Sequence, residues 1–205
     1  MWIDSHCHLD ASEFAGKSLV LAEEAARMGV SAMVIPAVHR SNFSVVAELA
    51  GQREDCFFAL GIHPMYVATS QEEDLQFLRA EIARLLADPV LGQALVAVGE
   101  IGLDYFVPAL CESPLREKQE FFYSEQLKIA RDFDLPVLLH VRKSQDKILK
   151  YLRRIPVCGG IAHAFNGSVQ QAQHFIDLGF RLGFGGAMTF TRALQIRRLA
   201  SELPL

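Results

Sequence analysis

Seven short, nearly continuous apolar runs, each followed by a longer amphipathic segment, constrain this chain more than any other feature of its sequence. The runs fall at 2–5, 32–36, 57–61, 95–101, 136–140, 160–163 and 181–184. Such runs suit parallel strands that helices cover from outside. The segments between them predict helices over about 17–28, 42–51, 72–87, 115–132, 144–153, 168–178 and 192–202. Repeated strand–helix units imply a parallel sheet with right-handed crossovers. About seven of them point to an α/β TIM-type (β/α) barrel that lacks the eighth unit of a closed one.

Local signals agree with this division. Gly29 and Gly179 are suited to end helices, and Ser144 and Ser168 to begin them. In segment 115–132, Phe121, Phe122, Leu127, Ile129 and Ala130 form a pattern compatible with one buried helical face. The longest irregular piece, 106–114, follows a strand end, where a lid or substrate loop would sit.

Composition narrows the class. A chain of 205 residues, 51% hydrophobic and 21% charged, is expected to form one globular barrel domain spanning 1–205. A formal net charge of −4 argues against coating nucleic acid through bulk positive charge. It leaves room for an enzyme that meets a few phosphates through metal ions and a local Arg. Cys7, Cys56, Cys111 and Cys158 are far apart and form no CxxC pair, so reduced thiols in a cytoplasmic protein are expected. The N-terminus has no basic region before an apolar run, and no stretch approaches the roughly 18 apolar residues of a membrane span. No obligate protein partner is indicated.

The chemistry gathers at strand ends. His6 and His8 lie two apart on the first strand, so alternation points both to one side and Cys7 to the other. Two imidazoles on one face make a natural metal clamp. Glu100 closes LVAVGE, His140 closes PVLLH and His163 closes GGIAH. A carboxylate at the end of an apolar strand is costly to bury unless it is paired or bound to metal. A parallel barrel directs all these ends to one mouth, where its active site forms. His6, His8, Glu100, His140 and His163 are therefore the expected metal ligands.

Other groups near the mouth draw different readings. His63 in GIHP ends a strand but is followed by a proline turn, so it is expected to support a ligand or touch substrate. Asp104, placed past the strand end, could orient a ligand histidine or cap a loop. Arg142, two beyond His140, could face the mouth and meet a phosphate, or form an ordinary surface ion pair. Gly183, Gly185 and Gly186 lack the spacing of a phosphate loop and read as a tight strand exit. His39 and His174 carry no expected role.

The stretches IDSHCHLD, ALGIHP, AVGEIGLDY, LPVLLHVR and HAFNGS occur in an order that resembles the TatD family of metal-dependent hydrolases and deoxyribonucleases, among the amidohydrolase-like barrels. The resemblance implies two divalent ions, Mg, Mn or Zn. It assigns His6 and His8 to one, His140 and His163 to the other, and Glu100 as the bridge. It implies 3′–5′ exonuclease-type hydrolysis at DNA or oligonucleotide ends by a metal-activated water. The family also carries an aspartate on an eighth strand, in a motif like ETDAP, as first-metal ligand and expected base. That motif is expected beyond residue 205, in a gene product that runs on through the eighth strand. Two alternatives stand beside this reading. One is a metallohydrolase for another ester or an amide, such as an aminoacyl-tRNA ester. The other is a non-catalytic metal-binding protein.

Overall fold

The structure, a computed structural model, describes residues 2–203. Its strands are β1 (Trp2–Asp4), β2 (Val30–Pro36), β3 (Cys56–Leu60), β4 (Leu95–Asp104), β5 (Val137–Arg142), β6 (Gly160–His163) and β7 (Phe180–Leu182). The helices are α1 (Ser18–Arg27), α2 (Phe43–Ala50), α3 (Glu72–Leu86), the short α4 (Leu91–Ala94), α5 (Leu115–Asp132), α6 (Gln145–Arg154), α7 (Val169–Asp177) and α8 (Leu194–Glu202). The strands pair in sequence order, every pair parallel, as repeated βα units require. The architecture is a seven-stranded curled portion of a TIM-type barrel. Among the described residues, β1 pairs only with β2, and β7 only with β6. The expected eighth strand and its aspartate lie outside the described residues.

The apolar runs supply the core. Ile35, Phe58, Leu60, Val98, Leu139 and their neighbours pack in one large cluster with buried helix residues such as Leu78, Ile82, Leu127 and Leu149. Ala59, Ala97 and Leu138 form a smaller separate cluster with Val34 and Ile161, drawn from five adjacent strands. Side-chain alternation turns successive strand residues to opposite faces, which separates the two clusters. No helix among the described residues is long and apolar enough to cross a membrane.

β4 departs from expectation in a way that shapes the mouth. Its run was expected to stop at Ile101, with Asp104 beyond the strand. Instead β4 continues to Asp104, after a register shift against β5 between Val98 and Ile101. Gly102 permits this: its φ is +147°, and an added Cβ would lie 2.0 Å from the His140 carbonyl oxygen. Glu100 and Asp104 thereby belong to one strand beside β5. Across the sheet, Gly102 is paired in register with His140, and His140 with His163.

Several local expectations need correction. β5 runs two residues further than expected, so Arg142 is its last residue. β7 stops at Leu182, before Phe184. Ser144 does not cap α6; its Oγ donates instead to the Leu103 carbonyl at 2.6 Å. Phe121 is 39% exposed and turns away from the core, while Gln119 and Gln126 occupy buried positions of α5. Ser168 does cap α7, in a reciprocal pair with Gln171. Gly29 and Gly179 adopt the left-handed conformations that end α1 and α7, at φ +95° and +82°.

Candidate metal centre

Glu100 is the centre of the mouth, 3% exposed, and its two oxygens face different histidines. Oε2 lies 3.1 Å from His6 Nε2 and 3.5 Å from His8 Nε2. Those two nitrogens are themselves 3.3 Å apart. Oε1 lies 3.0 Å from His140 Nδ1 and 3.4 Å from His63 Nε2. The Glu100 amide donates to the Ala37 carbonyl at the end of β2, which fixes its backbone across the mouth.

The donor set fits a metal. Atoms held about 2.0–2.2 Å from one ion at tetrahedral angles are separated by about 3.3–3.6 Å. His6 Nε2, His8 Nε2 and Glu100 Oε2 are close to that spacing, and these three residues form one group whose donor atoms converge. His63, Glu100 and His140 form a second group. Of these, His140 is the better ligand. Its Nε2 lies 3.1 Å from Asp104 Oδ2, which fixes a proton there, so that Nδ1, 3.0 Å from Glu100 Oε1, is the atom a metal would take in place of its proton. His63 is arranged oppositely. Its Nδ1 accepts from the Met65 amide at 3.1 Å, which places the proton on Nε2 and makes His63 a donor toward Glu100.

His163, expected beside His140 as a ligand, is a sheet neighbour of His140, but its ring stacks on His6 at 3.6 Å with 10° between planes. It belongs to neither convergent group. The mouth therefore gathers all the expected ligand residues, while donor-atom convergence reaches four of the five.

The electrostatics follow from burial and these contacts. Burial pushes the Glu100 pKa up, but hydrogen bonds from His140, His6, His63 and His8 outweigh it and hold the carboxyl well below its usual range. Burial likewise opposes ionisation of Asp104, yet His140 and the Val107 and Phe106 amides hold its pKa down to about 2. Burial also lowers the pKa of His140, and Asp104 and Glu100 overcome this and raise it to about 9. His163, buried and close to His6, falls to about 4. Cys7, turned away, has its Sγ 3.6 Å from the Val34 carbonyl and a thiol pushed up to about 12 by burial, so it is a wall residue.

Two residues that the sequence reading passed over hold this geometry. Gln119 Oε1 accepts from the Asp104 amide at 3.0 Å, and its Nε2 donates to the Leu110 carbonyl at 2.5 Å. Gln126 Oε1 accepts from the Ile62 amide at 2.6 Å, and its Nε2 donates to the Ile62 carbonyl at 3.0 Å. Each glutamine clamps backbone at or beside a mouth residue. Their signal was present: both stand at the helical spacing of Phe122, Tyr123 and Ala130, on a face that should be apolar. Arg142 lies at the rim, its guanidinium 3.8 Å from the Phe106 ring centroid and 3.9 Å from Asp104 Oδ2.

A parallel barrel whose mouth gathers histidines around a shared buried carboxylate defines the class of metal-dependent hydrolases. The family model for TatD related DNase matches residues 3–205, and the chain belongs to the TatD family. It is 38% identical over 206 residues to the uncharacterised metal-dependent hydrolase YjjV of Escherichia coli, covering all of this chain and 75% of that protein. It is 29% identical over 211 residues to a putative deoxyribonuclease, tatdn3, of Danio rerio, covering 76% of it. The crystal structure of Escherichia coli YjjV superposes with a TM-score of 0.87 at 37% identity, covering 99% of this chain and 75% of that one. A TatD family hydrolase from Entamoeba histolytica shares the fold, with a TM-score of 0.83 at 21% identity.

Proposed function

We propose that this chain is a two-metal phosphodiesterase that removes nucleotides from the 3′ ends of DNA or short oligonucleotides. The observation that carries this reading is the Glu100 carboxylate, with one oxygen toward the His6–His8 pair and the other toward His140. A carboxylate placed this way would let both histidine groups share it in holding two divalent ions. Bound Mg, Mn or Zn would supply Lewis acidity to a phosphoryl oxygen and lower the pKa of water.

The protein's own groups have separate tasks. His6, His8, Glu100 and His140 would hold the ions, with His163 as the fifth ligand that the family motif implies. Asp104 is a positioning residue: it fixes the His140 ring through Nε2. His63 presents an N–H toward Glu100 and the mouth, where it can donate to a substrate oxygen. Arg142 offers charge to a phosphate at the rim. Residues 1–205 belong to a single barrel domain in this reading. A cytoplasmic location is part of the reading, supported by four unpaired cysteines.

The test is a substrate screen on metal-reconstituted protein: single-stranded DNA, duplex DNA, RNA, simple phosphodiesters, carboxylic esters and amides. The expected result is hydrolysis of DNA ends, abolished by chelation and restored by Mg or Mn. Turnover of an ester or amide with no phosphodiester cleavage would replace the reading with the alternative hydrolase.

A further inference from the structure

Two cavities open on the metal cluster from opposite sides, and both are lined by His140 and His163. The first, about 840 Å³, lies over the loops that follow β1, β2 and β3. Among the described residues its wall carries Asp10 and Glu13 and no Lys or Arg. The nearby Arg40 is directed elsewhere: it pairs with Asp74 at 3.0 Å and lies over the Phe77 ring at 4.0 Å. Asp10 is held in place by the Asn42 amide at 2.8 Å, and Asn42 in turn accepts from the Val38 and His39 amides. The same wall offers flat surface, since the His39 and Tyr66 rings lie 5.7 Å apart with 31° between them.

The second cavity, about 680 Å³, has the opposite charge. Arg142 and Lys143 line it, and among the described residues no Asp or Glu does. Both cations lie over Phe106, at 3.8 and 4.9 Å from the ring centroid, and that ring is 49% exposed. Asp104 ties this platform to the metal side. Its Oδ1 accepts from the Phe106 amide at 2.8 Å, while Oδ2 faces His140 at 3.1 Å and Arg142 at 3.9 Å. Cations next to an exposed aromatic ring suit a strand with phosphates and stacking bases. An acidic wall with flat rings suits a nucleoside without phosphate and repels an anion.

We propose that the scissile phosphodiester bridges the two cavities: the phosphate-bearing strand lies on the Phe106–Arg142–Lys143 side, and the terminal nucleoside on the Asp10–Glu13 side. The site thereby selects 3′ ends that carry a free hydroxyl and rejects those that carry a phosphate. This rests on the phosphodiesterase reading above. A terminal phosphate carries about −1.5 to −2 charges and would be forced against two carboxylates.

The experiment uses metal-loaded protein and ten-nucleotide single-stranded DNA with a 3′-hydroxyl or 3′-phosphate, each with and without a 5′-phosphate. The 3′-hydroxyl end should be cut with a kcat/KM at least about tenfold higher, as expected of like-charge repulsion. The 5′-phosphate should change little. Asp10→Asn with Glu13→Gln should narrow the 3′ ratio to within about threefold. Glu13→Gln alone, at an exposed position, should narrow it partway and covers the case in which the Asp10 change disturbs Asn42. Arg142→Ala with Lys143→Ala should raise KM more than it lowers kcat. It should also reduce the salt slope of binding by about 1.4, from roughly 0.7 per lost phosphate contact on a single strand. Equal cleavage of both 3′ ends by the unmodified protein, or unchanged KM and salt response in the double cation variant, would overturn the proposal and leave the phosphodiesterase reading standing. If no oligonucleotide is bound or cut whatever its ends, the phosphodiesterase reading itself falls, and this proposal with it.

Discussion

On the β4–β5 flank of Glu100, His140 is held by a carboxylate that is itself held by two backbone amides, on a backbone clamped by a buried glutamine. Asp104 Oδ1 accepts from Phe106 and Val107 at 2.8 and 3.0 Å, and the Asp104 amide donates to buried Gln119 at 3.0 Å. On the β1 flank, His6 and His8 follow a three-residue strand with one neighbour, whose Trp2 and Ile3 are 74% and 62% exposed. Beyond its ladder with β2, this flank is held by Trp2 donating to Gly29, Cys7 donating to Val34, Ser31 Oγ donating to the Trp2 carbonyl and the His6 amide donating to Asp4. The difference teaches that, among the described residues, the His140 half of the centre is preorganised by a buried network, while the His6–His8 half is held by fewer and more exposed bonds. Rigid positioning lowers the cost of gathering ligands, so the His140 side should bind its ion more tightly than the His6–His8 side.

The largest expected effect removes the comparison altogether. Glu100→Gln keeps the side-chain shape but takes away the charge that both flanks share. Metal content should fall on both sides, and hydrolysis should drop by more than the roughly 100-fold that outer-shell changes cost. Metal analysis of the purified variant, with its rate, checks this. Unchanged stoichiometry and rate would show that Glu100 bridges nothing.

Asp104→Asn separates the flanks. The asparagine keeps an oxygen for the Phe106 amide but no longer presents a charged acceptor to His140. Metal affinity on the His140 side should fall about 10- to 100-fold, while the His6–His8 side changes by less than about threefold. Two-site metal titration reads both. An equal loss at both sites would mean that the flanks form one unit and that the His6–His8 side is no weaker.

The same contrast appears in which features the sequence made legible. The ligand-type side chains were legible because each stands where an apolar run of the sequence finishes, though only His163 closes its strand: β1 stops at Asp4, before His6 and His8, and β4 and β5 run on past Glu100 and His140. The β4 extension was not, because Gly102 reads as a strand breaker, while its value lies in a close approach to His140 that only the folded sheet shows. The role of Asp104 was left open between orienting a histidine and capping a loop, and its side chain does both, one oxygen for each. Gln119 and Gln126 were missed because a polar residue on a helix is read as solvated unless its phase against Phe122 and Ala130 is followed. The expected pairing of His163 with His140 was implied by the family resemblance, and a motif match does not fix ring orientation. The ring turns to stack on His6.

Stability should divide along the same line. Gln119→Leu leaves the buried Asp104 amide and Leu110 carbonyl without their partner and should cost about 2–4 kcal/mol. Ser31→Ala, which removes one exposed bond to β1, should cost about 0.5 kcal/mol or less. Urea unfolding of the metal-free proteins measures both. Equal costs would remove the claim that the β4–β5 flank is the more strongly built.

The smallest effect is a pH dependence confined to the His140 flank of metal-free protein. His140 has its pKa raised in the folded state to about 9 from 6.5, so its stabilising contribution is complete below pH 6.5 and is lost as pH rises through about 9. Asp104 is lowered to about 2 from 3.8, so its contribution is complete above pH 3.8 and is lost as pH falls through about 2. The metal-free melting temperature should fall between pH 6.5 and 9 on the order of 5 °C. Asp104→Asn should shrink that fall, because it removes a principal cause of the raised pKa. A bound ion competes with the His140 proton at Nδ1, the atom that faces Glu100. Saturating metal should therefore flatten the alkaline limb, and metal uptake at pH 7.5 should release a proton, measurable by titration calorimetry in two buffers of different ionisation enthalpy. An alkaline limb as steep with metal as without it would place His140 outside the coordination sphere. His63 would then be the histidine to test beside Glu100.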